Sequence, residues 1–371
     1  MHRHGGAVRA AARIALALAG FFFATTLAAQ TIVPVRDDIT LPARGALRIG
    51  LHGEFYAADE VRGDTGVAPL SSRFDFGGRR VRAAASVSMT RLPITLEYGV
   101  LSWLSVGVTV PLVRRQVSVA VDTLARQAGD TATRPIDLQA ASAGTLTHTN
   151  LGDVEATVTI GLWRRDAAPT GARGHAAVAV TGRFATGQER PLNNYFDPGS
   201  GDGQSDIEIA AGATLGFGRR LALSAVATHT LQQRAVTSII ASDSVFPAAR
   251  VIAGVSRDLG DITALAVTPR YTLSRFLDFV AGVRIVRKGA DSYDGGTPDP
   301  AWGLIALPRE SFTETRVAVG FDFSSLASRH GAIGSWPAEL TFRYELPVAR
   351  SGGALPVVRT AVVGGRLHAR F

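Results

Sequence analysis

The sequence contains no cysteine, and only 19% of its 371 residues are charged, against roughly a quarter in soluble domains. Without cysteine the chain has no disulfide, no thiolate metal site, no thiol nucleophile and no lipid-modified cysteine. Long apolar runs are also missing, because only Ile14–Ala29 approaches the roughly 18 residues that a membrane-spanning helix needs. These absences exclude a helical membrane protein, and a mean hydropathy of +0.16 excludes a disordered chain.

Basic residues are numerous, but they are almost all arginine, since Lys288 is the single lysine. The formal net charge is +8, and three of the arginines, Arg3, Arg9 and Arg13, precede the apolar run. The remaining positive charge is too evenly spread to form the basic patch of a nucleic-acid-binding protein. We therefore predict no nucleic-acid partner.

The first 29 residues have the three parts of a secretory signal peptide. A basic stretch is followed by the apolar run Ile14–Phe23 and by the small residues that lead to Ala28 and Ala29, after either of which cleavage is predicted. The alternative, a membrane-anchoring helix, would need a longer run and a basic segment after it. We predict a signal peptide over 1–29, a short periplasmic segment over 30–45 and one exported domain over 46–371.

The exported domain is predicted to be all β, because apolar and polar residues alternate along its whole length. Leu277, Phe279 and Ala281 face one way, for example, whereas Asp278 and Gly282 face the other. A period of two over about ten residues indicates a strand with one apolar face. The pattern predicts twelve strands, over residues 46–57, 80–100, 104–121, 152–165, 175–186, 205–218, 221–232, 261–273, 277–287, 312–323, 338–350 and 357–371.

Strand length and loop length favour a transmembrane antiparallel up-and-down β-barrel over a soluble sandwich. Sandwich strands have a modal length of about five or six residues, whereas tilted bilayer-spanning strands need about 9–11. Short connections, such as Leu101–Trp103, alternate with long polar ones, such as Asp122–Leu151, as in outer-membrane barrels with short periplasmic turns and long external loops. Pro93 is predicted to cause a bulge, and Arg250–Arg257 to extend an external hairpin; strands there would raise the count to fourteen.

The last strand ends on Phe371, which shares a face with Leu367 and Ala369. A terminal phenylalanine in an amphipathic strand resembles the C-terminal assembly signal of bacterial outer-membrane proteins. The resemblance implies that the outer-membrane assembly machinery recognises Phe371, and that outer-membrane lipids and lipopolysaccharide surround the barrel.

Several strand ends resemble those of one family. The strand-turn-strand formed by Leu96–Val100 and Leu104–Leu112 is similar to one that recurs in transporter-like outer-membrane barrels known as phenol meta-pathway degradation proteins. Gly152-Asp153, Arg183–Gly187 and Gly201–Asp206 are similar too, although the family more often has Leu-Pro-Thr-Gly at 184–187. The resemblance, and a more distant one to long-chain fatty-acid and aromatic-hydrocarbon channels, implies passage of small, hydrophobic or aromatic molecules. The Asn-Pro-Ala hatch of the fatty-acid channels is absent from Gln30–Gly45.

No set of residues in the sequence predicts an enzyme, a cofactor or a metal site. The histidines lack metal-ligand spacing, and His229 lies on the face of its strand opposite Ser224, which argues against a serine hydrolase. The acidic, glycine-rich stretch Asp197–Asp206 lacks the ligand spacing of a calcium loop, as does the loop with Asp291, Asp294 and Asp299.

The inward-facing positions carry acids and bases in nearly equal number, so opposite charges on neighbouring strands are expected to pair inside the barrel. A structural filling of ion pairs is favoured over a selective pore, since a selective ring would have one sign. The candidate lumen-lining residues are Glu54, Glu97, Glu155, Arg183, Asp206, Glu208, Arg270, Asp278, Arg284, Glu314, Arg316, Glu339, Arg343, Glu345 and Arg366.

Two functions are compatible with the sequence. The first is a passive channel or transporter for a small-molecule solute in the bacterial outer membrane. The second is a barrel that transports nothing and binds a ligand through its external loops. Stable conductance steps in a planar bilayer would favour the channel.

Overall fold

The computed structural model describes residues 39–63, 66–69, 71–76, 79–126, 144–165, 173–189, 199–201, 203–241, 250–297, 311–325, 338–352 and 355–370. Within these residues all the regular secondary structure is β-strand. No helix among them is long and apolar enough to cross a membrane. The predicted signal peptide and Phe371 lie outside the described residues, so the expectations about them stay predictions.

Twelve strands form one closed antiparallel barrel, which confirms the predicted fold and strand number. Each strand pairs with its neighbours in sequence, and the first strand also pairs with the last, from Ala46 opposite Arg370 to Ala57 opposite Arg359. The barrel strands are β1 (Ala46–Ala58), β2 (Arg79–Leu101), β3 (Leu104–Arg126), β4 (Val154–Arg165), β5 (Arg173–Phe184), β6 (Asp206–Phe217), β7 (Leu221–Gln232), β8 (Ile262–Thr272), β9 (Leu277–Lys288), β10 (Phe312–Ser324), β11 (Ala338–Ser351) and β12 (Arg359–Arg370).

The two ends of the barrel differ in their connections, as predicted. At the end called here the short-turn end, β2 and β3 are joined by Ser102 and Trp103 alone, and β6 and β7 by a three-residue turn in which Gly218 has a φ of 61°. At the opposite, long-loop end, eight further strands lie between the barrel strands. They are Glu60–Gly63, Gly66–Pro69, Ser71–Phe76, Gly144–Leu151, Ala235–Ala241, Arg250–Asp258, Ser292–Thr297 and Leu355–Pro356.

Several of these extra strands form two small sheets at the long-loop end. Arg250–Asp258 pairs with Ala235–Ala241 on one side and with Ser292–Thr297 on the other. It therefore belongs to a hairpin extension and adds no strand to the barrel, as the sequence predicted. The second small sheet joins Glu60–Gly63 to Gly66–Pro69 and to Leu355–Pro356.

Pro93 does not cause the bulge that the sequence predicted. Pro93 lies opposite Pro111 of β3, and the register between the two strands continues unchanged through this pair. The Pro111 carbonyl accepts a hydrogen bond from the Gly152 amide at 2.8 Å, on the far side of β3, so the prolines face each other where neither must donate. A backbone N–H at position 93 would point toward β1. The pairing of β1 with β2 is interrupted there, at His52 and Gly53, but continues beyond them in the same register.

Besides the shifts near the two ends of β2, two positions in the wall shift register. In β4 the shift falls between Gly161 and Trp163, which leaves Leu162 as the extra residue against β5. In β11 it falls beside Pro347, opposite Arg316 of β10. A bulge reverses the inward and outward alternation beyond it, so both shifts change which side chains enter the barrel.

The outer face of the barrel is apolar and exposed along every strand. Leu162, Leu340 and Phe342 have 65%, 56% and 47% of their surface exposed, and many other leucine, valine and phenylalanine side chains resemble them. A soluble monomer rarely exposes apolar patches of more than a few hundred Å². The closed barrel with this outer face fits a location in the outer membrane.

Residues 39–43, which precede β1, lie inside the barrel. Ile39 packs against inward-facing small side chains of β5, β6 and β7, namely Ala177, Ala179, Ala210 and Val226. Closer to the short-turn end, a Cβ added to Gly99 would lie only 2.2 Å from the carbonyl oxygen of Ala43. These seven residues 39–45 are the described part of the segment 30–45.

Candidate functional site

The candidate site is the inner face of the barrel, where the charged residues singled out in the sequence are buried or half-buried. As expected from their alternating signs, most of them form ion pairs between strands. Their participation in the passage of a solute stays a prediction, because pairing alone also fits a structural filling.

One continuous series of alternating charges crosses five strands and is called here the first ion-pair chain. Arg91 of β2 lies 3.1 Å from a Glu54 oxygen of β1 and 2.8 Å from a Glu155 oxygen of β4. Arg183 of β5 lies 3.7 Å from Glu155 and 3.1 Å from Asp206 of β6. Two guanidinium groups thus link three carboxylates, which satisfies the charges inside the wall.

A second cluster of charges lies across β9, β10 and β11 and is called here the second ion-pair cluster. Glu345 contacts both Arg284 and Arg316, and Arg316 also donates to Glu314 at 2.7 Å. The same guanidinium donates to the carbonyl oxygen of Val358 at 2.7 Å. All four charged residues are at most 9% exposed, so this cluster fixes the segment before β12 against the inner wall.

Nearer the short-turn end, Arg48 of β1 donates from Nε to a Glu97 oxygen of β2 at 3.1 Å, and the Ser105 hydroxyl of β3 donates to Glu97 at 2.7 Å. Arg48 also donates to the Thr40 carbonyl at 2.9 Å. The Arg48 side chain therefore ties the internal segment 39–43 to the wall.

Asp322 of β10 is shared by two arginines at the short-turn end. Its Oδ2 lies 3.0 Å from Arg270 of β8 and 2.7 Å from Arg343 of β11. Glu339 lies 3.8 Å from Arg366, whose side chain is 42% exposed. Ion pairs at this end are thus more open to solvent than those of the second ion-pair cluster.

Two of the predicted residues lie outside these pairs. Glu208 is 8% exposed on β6, two positions from Asp206 on the same face. Asp278, on the inner face of β9, forms no ion pair with any other residue that the structure describes. Asp278 is therefore an unusual carboxylate in an interior where most charges are paired.

Two cavities lie inside the barrel, and the second of them opens at the short-turn end. The inner cavity, of about 450 Å³, is lined by Glu54, Glu97 and Glu155 and by the threonines of β2, β3 and β4. The mouth cavity, of about 810 Å³, lies against Ser102 and Trp103 and the adjacent ends of β4 and β5. Thr40, Arg270 and Asp278 line both cavities, so the two spaces meet there.

An apolar cluster lies in the interior toward the long-loop end. Tyr56, Ala58 and Met89 of the wall pack with Val113 and Val358 in an apolar cluster. The Tyr56 hydroxyl donates to Glu54 at 2.8 Å, so the apolar cluster rests directly on the first ion-pair chain.

Arg91 and Arg164 are inward arginines that the sequence analysis missed, and the buried Arg115 of β3, which donates to the Gly199 carbonyl, is another. Arg91 is six residues before Glu97, and with an unbroken period of two the pair shares a face; the predicted bulge at Pro93 would have turned it outward. Arg164 would face outward by alternation from Glu155, but the extra Leu162 turns it inward opposite His175 of β5. The inward direction of Arg91 could have been predicted from the alternation along its strand, whereas nothing in the sequence indicates the inward direction of Arg164.

The structure adds no support for the serine hydrolase or the metal and calcium sites that the sequence analysis argued against. His229 and Ser224 lie on opposite faces, as predicted: the His229 ring bonds the Thr263 hydroxyl at 2.9 Å, whereas Ser224 pairs with Thr214 inside. Asp206 pairs with Arg183, Asp291 contacts Lys288, and Asp299 lies outside the described residues. Among the residues described, no three His, Asp or Glu side chains converge as metal ligands.

Comparison with known proteins identifies no relative by sequence: no family model matches, and no curated protein matches. Among solved structures, an outer-membrane channel from Pseudomonas putida F1 is similar with a TM-score of 0.55 and 14% identity, covering 92% of this chain and 100% of that chain. At that identity the similarity concerns the fold alone.

Two hydrocarbon channels match less well. The P. putida toluene transporter TodX has a TM-score of 0.37 and 12% identity, covering 89% of this chain and 91% of that chain. The CymD monoaromatic hydrocarbon channel has a TM-score of 0.35 and 13% identity, covering 89% of each chain. TM-scores this low support no argument about function. The similar structures are outer-membrane channels, while the narrower family that the strand ends resemble is not shown.

Proposed function

We propose that the protein is a passive outer-membrane channel for small molecules. The observation that carries the proposal is a closed twelve-stranded barrel, apolar outside, whose polar interior holds adjoining cavities of about 450 and 810 Å³. A barrel with a structural filling alone has no need of such spaces. The similarity in fold to an outer-membrane channel is consistent with this proposal.

The proposed orientation follows from the two ends of the barrel. Bacterial outer-membrane barrels have short turns in the periplasm and longer loops outside. The mouth cavity beside Ser102 and Trp103 is then the periplasmic mouth, and the two small sheets lie at the cell surface.

The chemistry of the interior bears on the solute. Hydrophobic or aromatic solutes are implied by the resemblance of the strand ends, and this part of the proposal rests on the resemblance alone. The inner cavity is lined by ion pairs and by hydroxyl groups such as those of Thr95 and Thr109, which favour a hydrated solute over a hydrocarbon.

One observation favours the alternative of a barrel that transports nothing. The apolar cluster of Tyr56, Met89 and Val358 occupies part of the interior toward the long-loop end, and Arg316 donates a hydrogen bond to the Val358 carbonyl there. In a channel this filling must leave a path or move, whereas a ligand-binding barrel needs neither.

Conductance separates the two functions. The full chain inserted into planar bilayers is expected to give stable ohmic steps. Thr157→Trp, which places a large ring in the inner cavity, is expected to reduce the step size, whereas Val158→Trp on the lipid-facing side is the matched control and leaves it unchanged. If a folded, heat-modifiable barrel gives no conductance steps, the channel proposal is overturned. If both variants reduce the step size equally, the current does not pass through the inner cavity.

A further inference from the structure

We infer that the mouth cavity selects small anions, an inference that rests on the proposed channel function and names its solute class. Among the described residues, four arginines line this cavity, namely Arg164, Arg165, Arg173 and Arg270, together with a single carboxylate, that of Asp278. His175 is the only other ionisable residue of this described lining. The described lining therefore carries an excess of positive charge.

The local fold brings these arginines together. The extra residue in β4 turns Arg164 inward, where it lies opposite His175. Arg173, at the start of β5, lies across Gly216 of β6 so closely that an added Cβ would meet its Cγ at 2.6 Å. Both features depend on local irregularities, a bulge and a glycine, at the same rim of the barrel.

The inner cavity has a different balance of charge. Its lining includes five arginines and six carboxylates, and most of them form the ion pairs described above. Arg270 stands between the two spaces, and its partner Asp322 also pairs with Arg343. One carboxylate thus serves two guanidinium groups there, so the positive excess of the mouth is not cancelled from within.

Positive charge in a concave, low-dielectric wall raises the local concentration of anions. Guanidinium groups stay charged at every physiological pH and bind carboxylate or phosphate oxygens in pairs, and rings of arginine characterise anion-conducting pores. Lipid headgroups offer the same oxygens, but Arg164 and Arg173 line a cavity of about 810 Å³ that a soluble anion can enter.

The first test is the reversal potential of the full chain in a planar bilayer of neutral phosphatidylcholine under a potassium chloride gradient. Chloride is expected to permeate more readily than potassium, on the order of three- to tenfold. Replacing Arg164, Arg165 and Arg173 by glutamine is expected to bring the ratio close to unity. The matched control removes three arginines of the same rim that do not line the cavity, Arg219, Arg220 and Arg275, and is expected to keep most of the preference.

A conducting channel with no anion preference would overturn this inference and leave the channel intact. An equal loss of anion preference in the control variant would also overturn the inference, because the preference would then come from the charge of the whole rim. A repeat in bilayers with anionic phosphatidylglycerol tests the lipid source: loss of the preference there would mean that headgroups occupy the arginines.

The second test needs no conduction. Trp103 and Trp163 lie at the mouth cavity, so their fluorescence reports on ions there once Trp302 and Trp336 are replaced by phenylalanine. Each ion's quenching is divided by its quenching of free N-acetyltryptophanamide, because iodide is intrinsically the better quencher of indole. After this normalisation iodide is expected to quench several-fold better than caesium, and the triple glutamine variant is expected to lose the difference. Equal normalised quenching by the two ions would refute anion attraction, whereas a normalised iodide preference in a barrel without conductance would uphold it and refute the channel.

Discussion

The two halves of the barrel interior use charge in different ways. Toward the long-loop end, Glu345 is 2% exposed and sits between Arg284 and Arg316, with an apolar cluster nearby. At the short-turn mouth, the described lining of the cavity has four arginines and one carboxylate. Charges that are paired and buried fix the wall, while an excess of one sign beside a cavity is available to a solute.

The contrast follows from the cost of burying a charge. A buried guanidinium needs a carboxylate, because the desolvation penalty is several kcal/mol per ion. A guanidinium that stays hydrated needs none. An unbalanced set of arginines is therefore stable only where water reaches it, which is the situation of Arg165 and Arg173, both exposed at the rim.

Removing the Glu345 carboxylate is expected to have the largest effect and tests the difference between the two halves most directly. Glu345→Gln leaves Arg284 and Arg316 without their shared carboxylate in a buried site, and we expect a loss of about 3–5 kcal/mol in the free energy of unfolding. Urea unfolding of the barrel refolded into lipid vesicles measures it.

The control is Glu339→Gln at the other end of the barrel, where the carboxylate is 30% exposed and about 1 kcal/mol or less is expected. A Glu345→Gln loss no larger than that of the control would mean that water reaches the second ion-pair cluster. The distinction between the two halves would then fail.

The next prediction concerns the inner and outer faces of one strand. Val158→Arg places a charge on the lipid-facing side of β4 and should cost about 2–4 kcal/mol if it meets the bilayer midplane. Thr157→Arg directs the same side chain into the inner cavity, beside Glu155, and should cost much less. Refolding yield and urea unfolding in lipid measure both, and equal losses would contradict a water-filled interior.

Most of the fold could be predicted from the sequence because the period of two is a local property. The twelve strands, their order and the unequal loops follow from alternation, which each strand repeats independently. Arg250–Asp258 was correctly assigned to an extension because a thirteenth barrel strand would have put the chain ends on opposite sides.

The site could be predicted only where alternation is unbroken. Pro93 was expected to break it and did not, since opposite Pro111 no donor is required, and Arg91 was missed for that reason. Leu162 breaks it without any proline or glycine at its own position, so the inward turn of Arg164 depends on pairing with β5. Which carboxylate serves which arginine also depends on side-chain geometry that no pattern records.

A smaller effect tests the internal segment 39–43. Gly99→Ala adds a Cβ that would lie 2.2 Å from the Ala43 carbonyl oxygen, so the segment must shift, at a cost of about 1–3 kcal/mol. The matched control is Gly365→Ala on the outer face, whose added Cβ meets nothing closer than Leu340 at 3.5 Å. Urea unfolding of both variants measures the difference, and a Gly99→Ala variant as stable as the control would show that residues 39–43 do not pack there.

The smallest effect is expected from the ion pair that most resembles a surface pair. Arg366 and Glu339 lie 3.8 Å apart with side chains 42% and 30% exposed, so solvent screens them and holding both side chains costs entropy. A double-mutant cycle of Arg366→Gln and Glu339→Gln should give a coupling of about 0.2–1 kcal/mol, and raising the salt concentration should reduce it further. His368 also reaches Glu339, at 3.3 Å, so the cycle is run in a His368→Gln background. A coupling of about 3 kcal/mol or more, the size expected for buried pairs, would mean that the short-turn end is as closed to water as the second ion-pair cluster, and arginines at that mouth could not then attract a solute.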